Sequence, residues 1–423
     1  MDQFTDGKEF LSTSSLEAVA SIKCNKKGLR CGDNGGGNSE RRIPHDTVIE
    51  VLKRLPVKSL MRFKCVSKLW HSTISDSGFA DGLFITFTDV DASSQPGQPV
   101  QRFIRVSSDK TLHHQASILL TECNVTQAIN GLVCFYDNTK NLIHLFNIYT
   151  RENLKLPYPR FDTCRAKYYF GYDPIKDLYK LLKVCSDEVG DIFTLGADTP
   201  IFRDGYPCEI LTLGMDSSWR IIPPATLDLK TQSICIDGVL YWGRDSHPNY
   251  AVVAFDLMEE EFRVEPIPDY MAENIKWNWF NVLELGGRLS LAQVEACLFD
   301  DGKLILWEFD DDQVGWTKHI VELPTELSEE GCRFPVGSLP TGELLLADHR
   351  LKSPMTVYSY DRAKGKFEKF LMAEFPSSLA LVCREAKPRI TYQKGNFAQL
   401  DHMIKGCNSL SSYVPSSDRH FIQ

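Results

Sequence analysis

Four times in the C-terminal part of this chain a two-residue turn is followed at once by an apolar run: Asn130-Gly131 before LVCF, Asp237-Gly238 before VLYW, Gly286-Gly287 before RLSL and Thr341-Gly342 before ELLL. Pairs of this kind favour the tight type I′ hairpin, because its two central residues take positive φ. A second piece recurs beside the first: an apolar strand, a polar turn residue, a short loop, then a bulky side chain that opens the next strand. Its turn residues are Asn147, Asp216, Asp256, Asp310 and Asp361, at intervals of 69, 40, 54 and 51 residues. Hairpins returning every 40 to 50 residues or so are what a four-stranded propeller blade produces. The pattern predicts a β-propeller of about six blades, with the interval of 69 leaving room for an insertion. The bulky residues Leu154, Trp219, Phe262, Trp316 and Phe367 are expected to pack between neighbouring blades. A two-sheet sandwich is the alternative that strand spacing alone leaves open.

Ahead of these strands the period changes. In Ile43 to Phe79, Val48, Val51, Leu52 and Leu55 fall at helical spacing behind a helix start at Asp46, and Pro56 ends that helix. Pro56 then suits the first turn of a second helix carrying Val57, Leu60, Met61 and Phe63. A third stripe follows at Val66, Leu69, Trp70 and Ile74. A unit of about 40 residues seldom buries enough surface to stand alone. Its apolar faces are therefore expected to be covered by a partner.

These residues resemble an F-box, the adaptor-binding module of SCF-type ubiquitin ligases. The resemblance is carried by Ile43-Pro44, where the family has Leu-Pro, by Leu55-Pro56, and by Arg62, Phe63, Cys65, Val66, Lys68 and Trp70. It implies a trihelical unit that binds a Skp-type adaptor and, through it, a cullin scaffold. The adaptor-contact residues it implies are Ile43, Pro44, Val48, Leu52, Leu55, Pro56, Leu60, Phe63, Val66 and Trp70. A helix-turn-helix is the rival for three short helices, but residues 43–82 carry only +2, slight for phosphate binding.

The second half is similar to the F-box-associated domain of a large plant group, related to Kelch repeats. NGLVCFYD, FNIYTRENLKLP, YFGYDPIKDLYKLLKV, SSWRIIP, DGVLYW, FDLMEEEFRVEPIP and GGRLSLAQ carry that likeness, with Ile148 where the family commonly has proline. The fold class is then α+β and multidomain: a trihelical F-box followed by an all-β, Kelch-like propeller. The expected divisions are a disordered leader at 1–42, the F-box at 43–82, the propeller at 84–375 and a tail at 376–423. The glycine-rich CGDNGGGNSE gives the leader its linker composition.

Charge and motifs narrow the function. Net charge is −9, with +3 on residues 1–82 and −12 on residues 83–423, which argues against nucleic acid as a partner. No apolar run reaches membrane-spanning length, so no membrane is expected. Thirteen scattered cysteines, without C-x-x-C pairs or a secretory start, read as reduced thiols in the cytoplasm or nucleus. There is no G-x-S-x-G, H-E-x-x-H or phosphate-loop motif, and the acidic Asp310 to Asp312 lacks a calcium-loop continuation. Neither catalytic residues nor a metal nor a cofactor is expected. Trp277 and Trp279 alternate along one strand and are candidate anchors for a target protein, as are Tyr206, His247 and Tyr250 on expected inter-strand loops. The sequence thus points to a non-enzymatic target receptor of a ubiquitin ligase; an F-box scaffold that degrades nothing, or a propeller enzyme, are the alternatives.

Overall fold

The computed structural model describes residues 22–25, 28–31, 48–49, 52, 60, 62–66, 68–75, 82–91, 98–106, 112–119, 123–160, 166–185, 205–226, 229, 233–244, 251–267, 280–293, 303–310, 315–324, 333–348, 355–373 and 389–393. They fall into two units, divided after Asp81. The first holds a hairpin, β1 (Ile22–Asn25) with β2 (Gly28–Cys31), inside the stretch expected to be a disordered leader. It also holds helix α1 (Lys68–Ser75).

The second unit is six four-stranded antiparallel sheets. Blade 2 is β6 (Asn124–Val125), β7 (Leu132–Asp137), β8 (Leu142–Asn147) and β9 (Asn153–Lys155). Blade 3 is β10 (Ala166–Asp173), β11 (Leu178–Cys185), β12 (Tyr206–Thr212) and β13 (Arg220–Ala225). Blade 4 is β14 (Ile234–Ile236), β15 (Val239–Arg244), β16 (Ala251–Asp256) and β17 (Glu261–Pro266). Blade 5 is β18 (Phe280–Leu285), β19 (Arg288–Gln293), β20 (Lys303–Asp310) and β21 (Gly315–Glu322). Blade 6 is β22 (Arg333–Ser338), β23 (Leu344–Asp348), β24 (Met355–Asp361) and β25 (Lys366–Ala373).

Blade 1 is assembled from both ends of the unit. Its strands β3 (Gly82–Asp91), β4 (Gln98–Val106) and β5 (Leu112–Leu119) follow one another, but its first position is taken by β26 (Arg389–Gln393), paired antiparallel with β3 from Arg389 opposite Thr86 to Gln393 opposite Gly82. The expected boundary at 375 is therefore corrected. A propeller strand lies within the supposed tail, and the unit begins at Gly82. This strand has no turn dipeptide before it and is too short for its alternation to register.

The ring is closed by packing at every boundary. Phe103 and Ile118 of blade 1 meet Val133 and Phe146 of blade 2, and five further clusters join blades 2 to 3, 3 to 4, 4 to 5, 5 to 6 and 6 back to 1. In the last, Ile85 and Ile104 pack on Leu345 and Val357. All five bulky residues expected between blades are there: Leu154 and Trp219 between blades 2 and 3, Phe262 between 3 and 4, Trp316 between 4 and 5, and Phe367 between 5 and 6. Flat four-stranded sheets with two apolar faces find burial only against each other, which is what radial repetition supplies.

Local chemistry makes the turns. Asn130-Gly131, Asp237-Gly238 and Gly286-Gly287 all hold positive φ at both residues, between 43° and 84°. Thr341-Gly342 differs: only Gly342 is left-handed, and the turn is the longer Leu339–Glu343 loop closed from the Leu339 N–H to the Glu343 carbonyl. A β-branched Thr resists positive φ, so the two-residue turn is closed to it. Five other turns share one device. Asp137, Asn147, Asp173, Asp256 and Asp361 each accept, on Oδ1, the N–H groups two and three residues on, at 2.8–3.2 Å. Four residues after each stands a left-handed residue: Asn141, Arg151, Asp177, Glu260 and Gly365. A short side chain that mimics the backbone acceptor fixes the bend.

Candidate interaction surfaces

In the N-terminal unit the third stripe splits into two faces. Trp70 and Ile74, one turn apart on α1, are 2% and 0% exposed, and Phe63 meets the Trp70 ring edge-on at 5.2 Å. Val48, Leu52 and Leu60 are buried as well. Val66 and Leu69 are instead 50% and 43% exposed, beside the exposed Cys65. Of the expected adaptor contacts, Val48, Leu52, Leu60 and Trp70 are thus interior residues of the chain itself, Phe63 is half-buried and Val66 is on the surface. Ile43, Pro44, Leu55 and Pro56 lie outside the described residues. Leu69, one turn beyond Val66, joins it on the surface and was not among the expected contacts; its exposure was not readable from helical period alone.

The propeller has two unlike ends. Connections from first to second and from third to fourth strands never exceed the seven residues 213–219. At the opposite end, the successive strand ends farthest apart in sequence are Cys185 and Tyr206, Pro266 and Phe280, and Ala373 and Arg389. Rigid scaffolds present variable recognition residues on connections between such ends. Tyr206 is at this end, but on a strand: it opens β12 opposite Ala225 and packs half-buried against the cluster between blades 3 and 4. Trp277, Trp279, His247 and Tyr250 lie outside the described residues. The strand ends that flank them, Arg244 paired with Ala251 and Phe280 paired with Gln293, are at the same end as Tyr206.

Near that end, blade 3 buries an ion pair. The Lys183 ammonium and the Glu209 carboxylate, register partners on β11 and β12, meet at 2.9 Å with side chains 1% and 0% exposed. The second Glu209 oxygen accepts the Arg160 N–H at 2.7 Å, and the Trp219 indole donates to the Pro157 carbonyl at 2.8 Å. Together they hold the connection from β9 toward β10 against blade 3.

At the short-turn end a charged clasp joins blades 3 and 4. Arg220 donates to both Glu260 oxygens at 2.9 and 2.8 Å and to Asp216 at 3.0 Å; Lys180 donates to Glu260 at 2.7 Å. Burial alone would raise the Glu260 carboxyl, but the hydrogen bonds from Arg220 and Lys180 outweigh it and hold it below its ordinary range. Glu260, in return, raises Arg220 further.

An N-terminal unit with an exposed apolar pair at its helix, followed by a closed six-bladed propeller, makes this a two-part chain. The F-box domain profile matches residues 41–81, and the F-box associated beta propeller domain profile matches residues 83–399. The chain belongs to the plant F-box proteins with an F-box associated β-propeller domain. An F-box protein of Arabidopsis thaliana is 28% identical over 342 residues, 76% of this chain and 82% of its own length. An F-box/kelch-repeat protein of the same plant is 26% identical over 79% of this chain and 86% of its own. Among solved structures, a chain of a nidogen/laminin complex aligns with a TM-score of 0.43 and 11% identity over 73% of this chain and 98% of that one.

Proposed function

We propose that this chain is the target-selecting subunit of an SCF-type ubiquitin ligase. Its F-box holds a Skp-type adaptor, the adaptor joins it to a cullin scaffold, and the propeller binds a protein to be ubiquitinated in the cytoplasm or nucleus. The observation that carries the reading is the pairing, in one chain, of an F-box that leaves Val66 and Leu69 at its surface with a closed propeller. The receptor performs no bond-making step. It raises the local concentration of a target lysine near a conjugating enzyme, a gain of proximity rather than of chemistry.

The test is capture by a recombinant Skp-type adaptor. Wild type binds; the double variant Val66→Asp with Leu69→Asp loses binding while its thermal unfolding stays unchanged. An adaptor that fails to bind wild type, or binds the double variant equally well, overturns the assignment.

A further inference from the structure

Between blades 4 and 5 lies a cavity of about 100 Å³. Its smallest lining residue is an alanine. Ala254 stands between Tyr241 on β15 and Arg263 on β17 in the same register row, and its methyl leaves empty what a larger side chain would fill. From blade 5, the cross-strand partners Phe309 and Trp316 face it, with centroids 5.1 Å apart and planes inclined at 62°. Three aromatic rings therefore wall the space.

The rest of the lining is Ala254, the apolar Leu289 and two charged side chains, Arg263 and Glu265. Glu265 pairs with Val252 through its backbone and is half-buried beside the cavity, and its carboxylate makes no hydrogen bond or ion pair among the described residues. Arg263, the other charged group of the lining, is 55% exposed and has Asp256 as its partner at 3.8 Å. Ring faces carry negative potential, and a carboxylate lacking a partner adds a full charge, so the combination favours a cation. The same sheet face already holds one. Lys318 places its ammonium 5.2 Å from the centroid of Trp307, its register partner and the residue two before Phe309.

Volume decides what kind of cation. About 100 Å³ is roughly three waters at ~30 Å³ each, well short of the ~300 Å³ where small-molecule pockets begin. It matches an alkylammonium head. We infer that this cavity binds the side-chain ammonium of a lysine, bare or methylated, presented by a protein bound to the propeller. The −12 carried by residues 83–423 draws a basic segment toward it. The inference rests on the propeller as target-binding half for the source of the lysine; binding of the cation itself is independent of the adaptor.

The experiment titrates the full chain with three probes, followed by the Trp316 indole NMR signal: Nα-acetyl-lysine methylamide, its Nε-trimethyl form and its neutral Nε-acetyl form. Both cationic probes shift the signal saturably, the trimethyl form at lower concentration, and the neutral probe does not. Glu265→Gln weakens both cations about tenfold, with thermal unfolding unchanged. Neutral and cationic probes binding alike, an unaltered Glu265→Gln, or no shift with either cation overturns the inference. No adaptor enters the titration, so its failure leaves adaptor capture standing, and failed capture leaves the titration standing.

Discussion

Arg220 and Glu260 meet fork to fork across the boundary of blades 3 and 4, one guanidinium branch on each carboxylate oxygen, and Glu260 holds the left-handed φ of 60° that ends the Asp256 turn. That conformation is disfavoured for a residue with a Cβ. It persists because the ion pair and the Asp256 turn hold it.

Glu260→Gln is expected to lower stability by roughly 1 kcal/mol, since the pair is partly exposed. The pH dependence follows from the lowered carboxyl. A group with a folded pKa below its unfolded one contributes in full above the ordinary carboxylate value near 4.5 and loses that contribution as pH falls through the folded value. Chemical denaturation at pH 7 and at falling pH below 4.5 should show the wild-type advantage largest at pH 7 and shrinking on acidification. An advantage that grows on acidification contradicts the clasp.

The buried Lys183 and Glu209 pair makes a different prediction. Lys183→Met leaves a carboxylate without its counter-charge in the interior and should cost about 3–5 kcal/mol. Adding Glu209→Gln removes the charge and keeps an oxygen for the Arg160 N–H, so the double variant should be more stable than the single one. Thermal unfolding of wild type, single and double variants measures this; a double variant less stable than the single one would refute it.

Two glycines separate backbone strain from crowding. Both Gly131 and Gly287 have positive φ, at 73° and 80°, but a Cβ on Gly131 would stand 2.2 Å from Cε2 of Tyr149, whereas one on Gly287 meets nothing within 4 Å. Gly287→Ala is expected to cost about 1–2 kcal/mol and Gly131→Ala about 1–3 kcal/mol more. Equal losses in urea denaturation would mean that Tyr149 moves aside without cost.

Ring closure rests on β26. A chain ending at Lys387 lacks that strand and leaves the edge of β3 unpaired. It should lose its cooperative thermal transition and self-associate, because an open edge and one uncovered blade face remain. A monomeric, cooperatively unfolding truncation would show that five blades and a partial sixth suffice.

Hairpins were legible because their causes are local: Asn130-Gly131 and Asp256 act within five residues of themselves. The bulky interblade residues were legible because one side chain after each turn points at the neighbour. What escaped depends on distant chain. β26 is a strand only because β3 awaits it, and Val66 and Trp70 carry equal apolar signal while facing opposite ways. The ammonium cavity needs Ala254 and Trp316 from two blades, which no local pattern joins.

The strand that completes blade 1 also sets a schedule. At about 5–20 residues per second, a ribosome needs roughly 15–60 s between emitting β3 and emitting β26. Throughout that interval the F-box is already outside the ribosome while the propeller has an unpaired edge. A nascent chain therefore carries its F-box together with an open β3 edge until Gln393 has emerged, so the sheet is completed only when almost the whole chain has been made.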